Sequence, residues 1–118
     1  MATNQNISPR FDLSSVYDST TNSIYLIGGS NGAGILSDIW ILNGLVIGEM
    51  PTNPSGYSLL SQLTPMTNFP SRSAFSSVLV SVSNTIHIIG GTGANSVLND
   101  IWTINTKTGF AYSNIYYF

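Results

Sequence analysis

The chain states one pattern twice, 62 residues apart. Arg10 returns as Arg72, and Ile24-Tyr25-Leu26-Ile27-Gly28-Gly29 returns as Ile86-His87-Ile88-Ile89-Gly90-Gly91. Leu36-Ser37-Asp38-Ile39-Trp40 returns as Leu98-Asn99-Asp100-Ile101-Trp102. The offset holds without a gap from Arg10 to Asn43, and 15 of those 34 positions are identical. A repeat of this size marks a supersecondary unit that cannot bury its own apolar face and stacks on a copy of itself. Two copies supply one stacking interface, and two outer faces remain to be covered.

Composition narrows what can cover them. The 118 residues are 42% hydrophobic, enough for a core, but only 7% charged, against about 25% in ordinary soluble domains. A surface so poor in charge does little to keep copies apart, so association is expected. Three basic residues (Arg10, Arg72, Lys107) and a net charge of −2 offer no basic stripe for phosphates, so no nucleic-acid partner is expected. With no cysteine, disulfides, thiol chemistry and cysteine zinc sites are excluded. The polar start, residues 1–6, does not read as a secretory signal, and no apolar run approaches membrane-spanning length. The default expectation is a cytoplasmic chain with no membrane partner.

Each repeat reads as β-structure. Short apolar or β-branched runs at residues 14–16, 24–27 and 39–42 recur at 76–82, 86–89 and 101–104. Residues 19–23 and 81–85 carry turn chemistry between the first two strands. The glycine pairs are expected to stop the second strand, and polar loops at 30–34 and 92–96 lead to the third. The second strand does not alternate: residues 24–27 are all apolar, so both of its faces are expected to be covered by other sheets. The fourth strand of the first repeat has two candidates. One is residues 45–47, after the hairpin signal Asn43-Gly44; the other is residues 57–63. In the second repeat a turn at 105–109 enters residues 110–112, and the tail at 115–118 is strand-like. No long helix is expected.

These residues resemble kelch repeats: an Arg opening the first strand, an apolar second strand ending in two glycines, a polar loop, an acidic residue before an aromatic-bearing third strand, and a later aromatic. The pattern is carried by Arg10, Gly28, Gly29, Asp38 and Trp40, then by Arg72, Gly90, Gly91, Asp100 and Trp102, with Phe110 or Tyr112 as the later aromatic. The resemblance implies an all-β chain of two four-stranded antiparallel propeller blades, residues 1–62 and 63–118, forming one structural unit. The first repeat departs from the pattern by about a dozen extra residues between Trp40 and Arg72. The count departs too, since closed propellers have about four to eight blades.

Two blades alone leave apolar faces wet. About four large exposed side chains forfeit roughly 6–12 kcal/mol, comparable with the 5–15 kcal/mol that holds an ordinary domain together. Oligomerisation is therefore expected to complete the propeller. Shifted by 62, Met1 falls opposite Leu63 and a third repeat would open near residue 125, so head-to-tail stacking is expected, closing as a ring or running on as a filament. A trimer of six blades is favoured. A fragment of a longer kelch propeller is the competing reading.

Chemistry at single residues is sparse. His87, the one histidine, replaces Tyr25 in an apolar strand and reads as a packed residue with one hydrogen bond. Asp38 and Asp100 are expected to pair with Arg10 and Arg72 or to end the polar loop. Residues 28–34 lack the lysine and helix of a phosphate loop. Trp40 and Trp102 read as blade packing, and no serine has a base and an orienting acid. Some propellers of this kind are oxidases built on a cysteine-linked tyrosine and copper, a chemistry excluded by the missing cysteine. The expectation is a noncatalytic protein- or carbohydrate-binding scaffold that assembles with itself, with no cofactor and no metal. The alternative is a subunit of an open fibre or coat. Antiparallel strands put residues 6–10, 30–35, 68–72 and 92–97 on one rim, whose candidate ligand residues are Arg10, Ser30, Asn31, Arg72, Thr92 and Asn95. A peptide or a glycan is the expected ligand class.

Overall fold

The computed structural model describes residues 7–43, 59–64 and 69–114. Among them the chain forms two four-stranded antiparallel sheets in strict sequence order. The first contains β1 (Ser14–Asp18), β2 (Ser23–Ile27), β3 (Ile39–Asn43) and β4 (Leu59–Leu63). The second contains β5 (Ser76–Val80), β6 (Thr85–Thr92), β7 (Val97–Asn105) and β8 (Ala111–Asn114). The described architecture is all-β, two meanders of the same build.

Register follows the repeat. Val16 pairs with Tyr25, and Leu26 with Trp40; Val78 pairs with His87, and Ile88 with Trp102. The turns between first and second strands rest on Asn22 and Asn84, at φ of 52° and 55°. Asparagine tolerates that left-handed conformation better than most residues.

Of the two candidates for the fourth strand, residues 59–63 pair with β3, Asn43 opposite Leu59. The other edge of β3 is held by β2, so both of its edges are paired. Residues 45–47, like the loop at 51–56 and the tail at 115–118, lie outside the described residues. The strand β4 ends on Leu63, one residue past the expected division between the repeats.

The expectation that the glycine pairs stop the second strand holds in the first sheet and fails in the second. Here β6 continues through Gly90 and Gly91 to Thr92, with a register shift between Ile89 and Gly91. Both glycines sit at positive φ, 63° and 101°, which lets the strand bulge and resume pairing with Leu98 and Val97.

The two sheets stack face to face, with β1 packed on β5. Sheet 1 contributes Val16, Tyr25, Ile27 and Ile39 to the core; sheet 2 contributes Ile86, Ile88, Ile104 and Ala111; Phe69, between the sheets in sequence, joins them. The period-2 geometry of a strand sorts the rest. Residues 23, 25 and 27 are buried against sheet 2, while Ile24 and Leu26 on the opposite face are half-buried. In β6 the assignment inverts: Ile86 and Ile88 are buried against sheet 1, and Ile89 is 45% exposed. The largely apolar second strands therefore have one sealed face each. The second cover expected from their sequence is not supplied by a third sheet among the described residues.

Candidate functional site

The strongest chemistry in the chain is a clasp at one end of each sheet. Arg10 precedes β1, Gly28 follows β2 and Asp38 precedes β3, so one guanidinium spans three strand ends. It donates to Asp38 Oδ1 and Oδ2 at 2.6 and 3.1 Å and to the Gly28 carbonyl at 3.2 Å. Its remaining donors reach the Ser8 carbonyl and hydroxyl. The Trp40 indole N–H donates to Asp38 Oδ2 at 2.8 Å.

Sheet 2 repeats the clasp except at Pro70, which stands where Ser8 stands and has no hydroxyl to accept. Arg72 donates to Asp100 Oδ1 and Oδ2 at 2.8 and 2.9 Å and to the Gly90 carbonyl at 2.9 Å. Trp102 donates to Asp100 Oδ2 at 2.8 Å. A further layer is added by Phe69, whose ring meets Trp102 edge-on at 5.5 Å and lies 5.1 Å from the Arg72 guanidinium carbon. The forked guanidinium suits this bidentate carboxylate geometry in a way lysine would not.

Burial and pairing set the electrostatics. The Arg10 and Arg72 side chains are 5% and 0% exposed, and their carboxylate partners 23% and 24%. At Asp100 the Arg72 hydrogen bonds hold the carboxyl below the usual carboxylate range despite partial burial, helped by Trp102. At Asp38 burial pushes upward, and the Arg10 and Trp40 hydrogen bonds outweigh it, so its carboxyl also sits low. Both acids are fixed as paired carboxylates, which leaves neither poised as a proton donor near neutral pH.

The pairing of Arg10 with Asp38 and of Arg72 with Asp100 was legible in the sequence. Its consequence for the rim was not. Arg72 has no exposed side-chain surface, so the two arginines hold the sheet ends rather than face a ligand. Sequence reasoning also missed the indole contacts. In extended chain, residues two apart share a face, so the Asp-Ile-Trp spacing was the available signal.

Within each sheet the loop after the second strand meets the segment that leads into the first. Phe11 pairs with Ser30, Ser30 with Ile35 and Ser73 with Thr92. Asn6 and Asn68, at the edges of the expected rim, lie outside the described residues. Asn31 is exposed, and its side-chain carbonyl accepts from the Ala33 and Gly34 N–H groups. Ser30 is half-buried and donates to the Gly34 carbonyl. Thr92 and Asn95 are exposed, beside a tight turn in which the Gly93 N–H meets the Ser96 carbonyl at 2.8 Å. These loops carry no charged side chain of their own and offer neutral donors and acceptors.

A second polar group lies at the opposite end, between the sheets. Asp18 is 1% exposed and accepts from the Thr20 N–H and hydroxyl at 3.0 and 2.6 Å. The Thr20 hydroxyl is the main reason its carboxyl sits low, and Lys107 adds to the effect. Burial raises the Tyr25 phenol; a hydrogen bond with Thr106 works against that and the charge of Asp18 adds to it. The repeat breaks at this point, since Val80 and His87 stand where Asp18 and Tyr25 stand, and that break was the readable signal. His87 is half-buried, with its ring nitrogens 3.2 Å from the hydroxyls of Thr85 and Thr103, two hydrogen bonds where one was expected.

Among the described residues no group of three or more His, Cys, Asp or Glu converges as a metal would need, and no helix is long and apolar enough to cross a membrane. Comparison with protein-family models and with curated proteins gives no match for this chain.

Proposed function

We propose that this chain is a noncatalytic scaffold module: a kelch-type propeller completed by several copies in head-to-tail order, presenting a loop rim to a peptide or a glycan. The observation that carries the reading is an apolar face left open. Val16 and Ile27 of sheet 1 are 8% and 0% exposed, whereas Val78 and Ile89, their equivalents in sheet 2, are 51% and 45% exposed. The same surface is core in one repeat and solvent-facing in the next. The clasps support the kelch resemblance, because the arginine, the aspartate, the tryptophan and the first glycine of the pattern make the same contacts in both sheets.

Rim binding rests on Ser30, Asn31, Thr92 and Asn95, with the arginines behind them as supports. Replacing Arg10 and Arg72 would undo the sheet ends, so the informative variant is Asn31→Ala with Asn95→Ala. It is expected to weaken capture of the ligand found on a peptide or glycan array without changing the assembly.

Mass measurement in solution tests the scaffold itself. A discrete species of about three chain masses is the expected outcome and corresponds to six blades. A broad, concentration-dependent distribution would favour the open fibre instead. A stable monomer at all concentrations would overturn both.

A further inference from the structure

The face of each sheet that carries Val16 and Ile27 in sheet 1 and Val78 and Ile89 in sheet 2 is its forward face, the opposite one its reverse face, and the two sheets meet forward face of sheet 1 to reverse face of sheet 2. The Gly29 N–H donates to the Arg72 carbonyl at 2.9 Å, the Arg72 N–H to the Leu36 carbonyl at 3.0 Å, and the Ala74 N–H to the Asp12 carbonyl at 2.9 Å. The hydroxyls of Ser14 and Ser77 share a hydrogen bond of 2.5 Å. The Arg72 carbonyl lies 2.7 Å from where a Cβ on Gly28 would be, so the glycine permits the close approach.

The repeat places the same groups on both outer faces. Advanced by 62, Gly28, Gly29, Leu36 and Ser14 become Gly90, Gly91, Leu98 and Ser76; moved back by 62, Arg72, Ala74 and Ser77 become Arg10, Asp12 and Ser15. Ser76 and Ser15 are both exposed. At Gly90 the nearest atom to an added Cβ is the Leu98 carbonyl at 3.4 Å, so this surface is open where Gly28 is covered. The apolar parts match as well. Val78 and Ile89 are exposed on the forward face of sheet 2, and Ile24, Leu26 and Leu42 are half-buried on the reverse face of sheet 1.

We propose that the forward face of sheet 2 binds the reverse face of sheet 1 of a second copy, in the register that the two sheets use within the chain, so that Ser76 of one copy meets Ser15 of the next. This rests on the head-to-tail reading above and specifies its interface. A second copy is the fitting occupant because its first sheet repeats the surface already seated on sheet 1: Arg10, Ser15, Ile24 and Trp40 match Arg72, Ser77, Ile86 and Trp102 identically. Such a contact is heterologous and leaves one face unfilled at each end until the chain of copies closes.

The absence of cysteine makes cross-linking unambiguous. Under mild oxidation Ser15→Cys/Ser76→Cys is expected to give a ladder of covalent multimers that collapses to monomer on reduction. Ser14→Cys/Ser77→Cys is expected to close within one chain and give no ladder. Ser76→Cys alone is expected to stay uncross-linked; a covalent dimer would mean that the forward face pairs with itself and would overturn the proposal. No ladder from the double variant, with the mass still that of an oligomer, overturns this register and leaves the scaffold reading standing. No ladder and a monomeric mass overturn both. Failure of the Ser14/Ser77 link would show instead that the sheets do not stack as described, removing the template for the interface.

Discussion

At the scale of single residues, the fold depends on two buried arginines. Arg72 is 0% exposed and bound to both oxygens of Asp100. Removing the carboxylate leaves a buried cation without its partner, a loss of about 3–5 kcal/mol, which is much of what a domain has. Asp100→Ala is therefore expected to unfold the chain or lower its denaturation midpoint sharply. Asp38→Ala should act similarly through Arg10, whose side chain is 5% exposed. Trp102→Phe keeps most of the packing and deletes one hydrogen bond to a charged acceptor, worth about 1.5–3 kcal/mol. Urea titrations followed by circular dichroism rank the three.

The same pairs set an acid limit. The carboxyls of Asp18, Asp38 and Asp100 all sit below their ordinary value in the folded chain. A group depressed on folding stabilises fully above its unfolded pKa, about 3.9 for aspartate. Its contribution fades as the pH falls through the folded value, because the unfolded chain then binds more protons. Stability should hold level from neutrality down to about pH 5 and drop steeply below about pH 4. Thermal melts across that range test it, and a midpoint that rises on acidification would contradict the assignment. The sequence made the acid–arginine pairs legible because the repeat preserved both partners at one spacing. Burial was not legible, since nothing in Arg72 itself distinguishes a rim cation from an interior one.

At the scale of elements, short apolar runs located six of the eight strands directly and left the fourth strand of each sheet less defined, the first as a choice between two segments. The hairpin signal at Asn43-Gly44 pointed to the wrong one. A local turn preference of that kind is weak beside the pairing of a whole strand, and β3 finds its partner at residues 59–63 instead. The glycine pairs misled in a related way. In sheet 1 the strand ends at Ile27, before its pair, whereas in sheet 2 it runs through the pair with a shift of register and resumes pairing beyond it.

Gly28 and Gly90 turn this into an experiment. Their φ values are nearly equal, 59° and 63°, so an alanine at either meets about the same backbone strain. Their surroundings differ: an added Cβ would be 2.7 Å from the Arg72 carbonyl at Gly28 and no nearer than 3.4 Å to any atom at Gly90. At high dilution, Gly28→Ala is expected to destabilise by about 1–3 kcal/mol more than Gly90→Ala, the usual penalty of overpacking. Equal losses would mean that strain alone governs both positions and that the sheets are not in close contact there.

At the scale of the whole molecule, stacking was legible in the sequence and closure was not. Repetition with largely apolar second strands demands that sheets cover one another, and sheet 1 covers sheet 2. How far stacking continues depends on the rotation from one sheet to the next, which no residue pattern states. What the structure adds is the location of the uncovered surface, around Val78, Val80 and Ile89 at 51%, 39% and 45% exposure. If copies bind the folded chain through that surface, association stabilises by mass action and the melting temperature must rise with protein concentration. Ile89→Asp places a charge in the middle of the face and is expected to abolish the dependence while leaving the dilute-limit melting temperature nearly unchanged, because the side chain lies outside the intramolecular core. Val82→Asp is the control: Val82 is 95% exposed in the 3-10 turn Ser81–Ser83, away from either sheet face, and the concentration dependence should survive. With so few charges on the surface, added salt has little to screen, so the dependence should persist at high ionic strength. A melting temperature that ignores concentration in the unsubstituted chain would show the open face to be stable in water by itself, and the case for copies covering one another would fail with it.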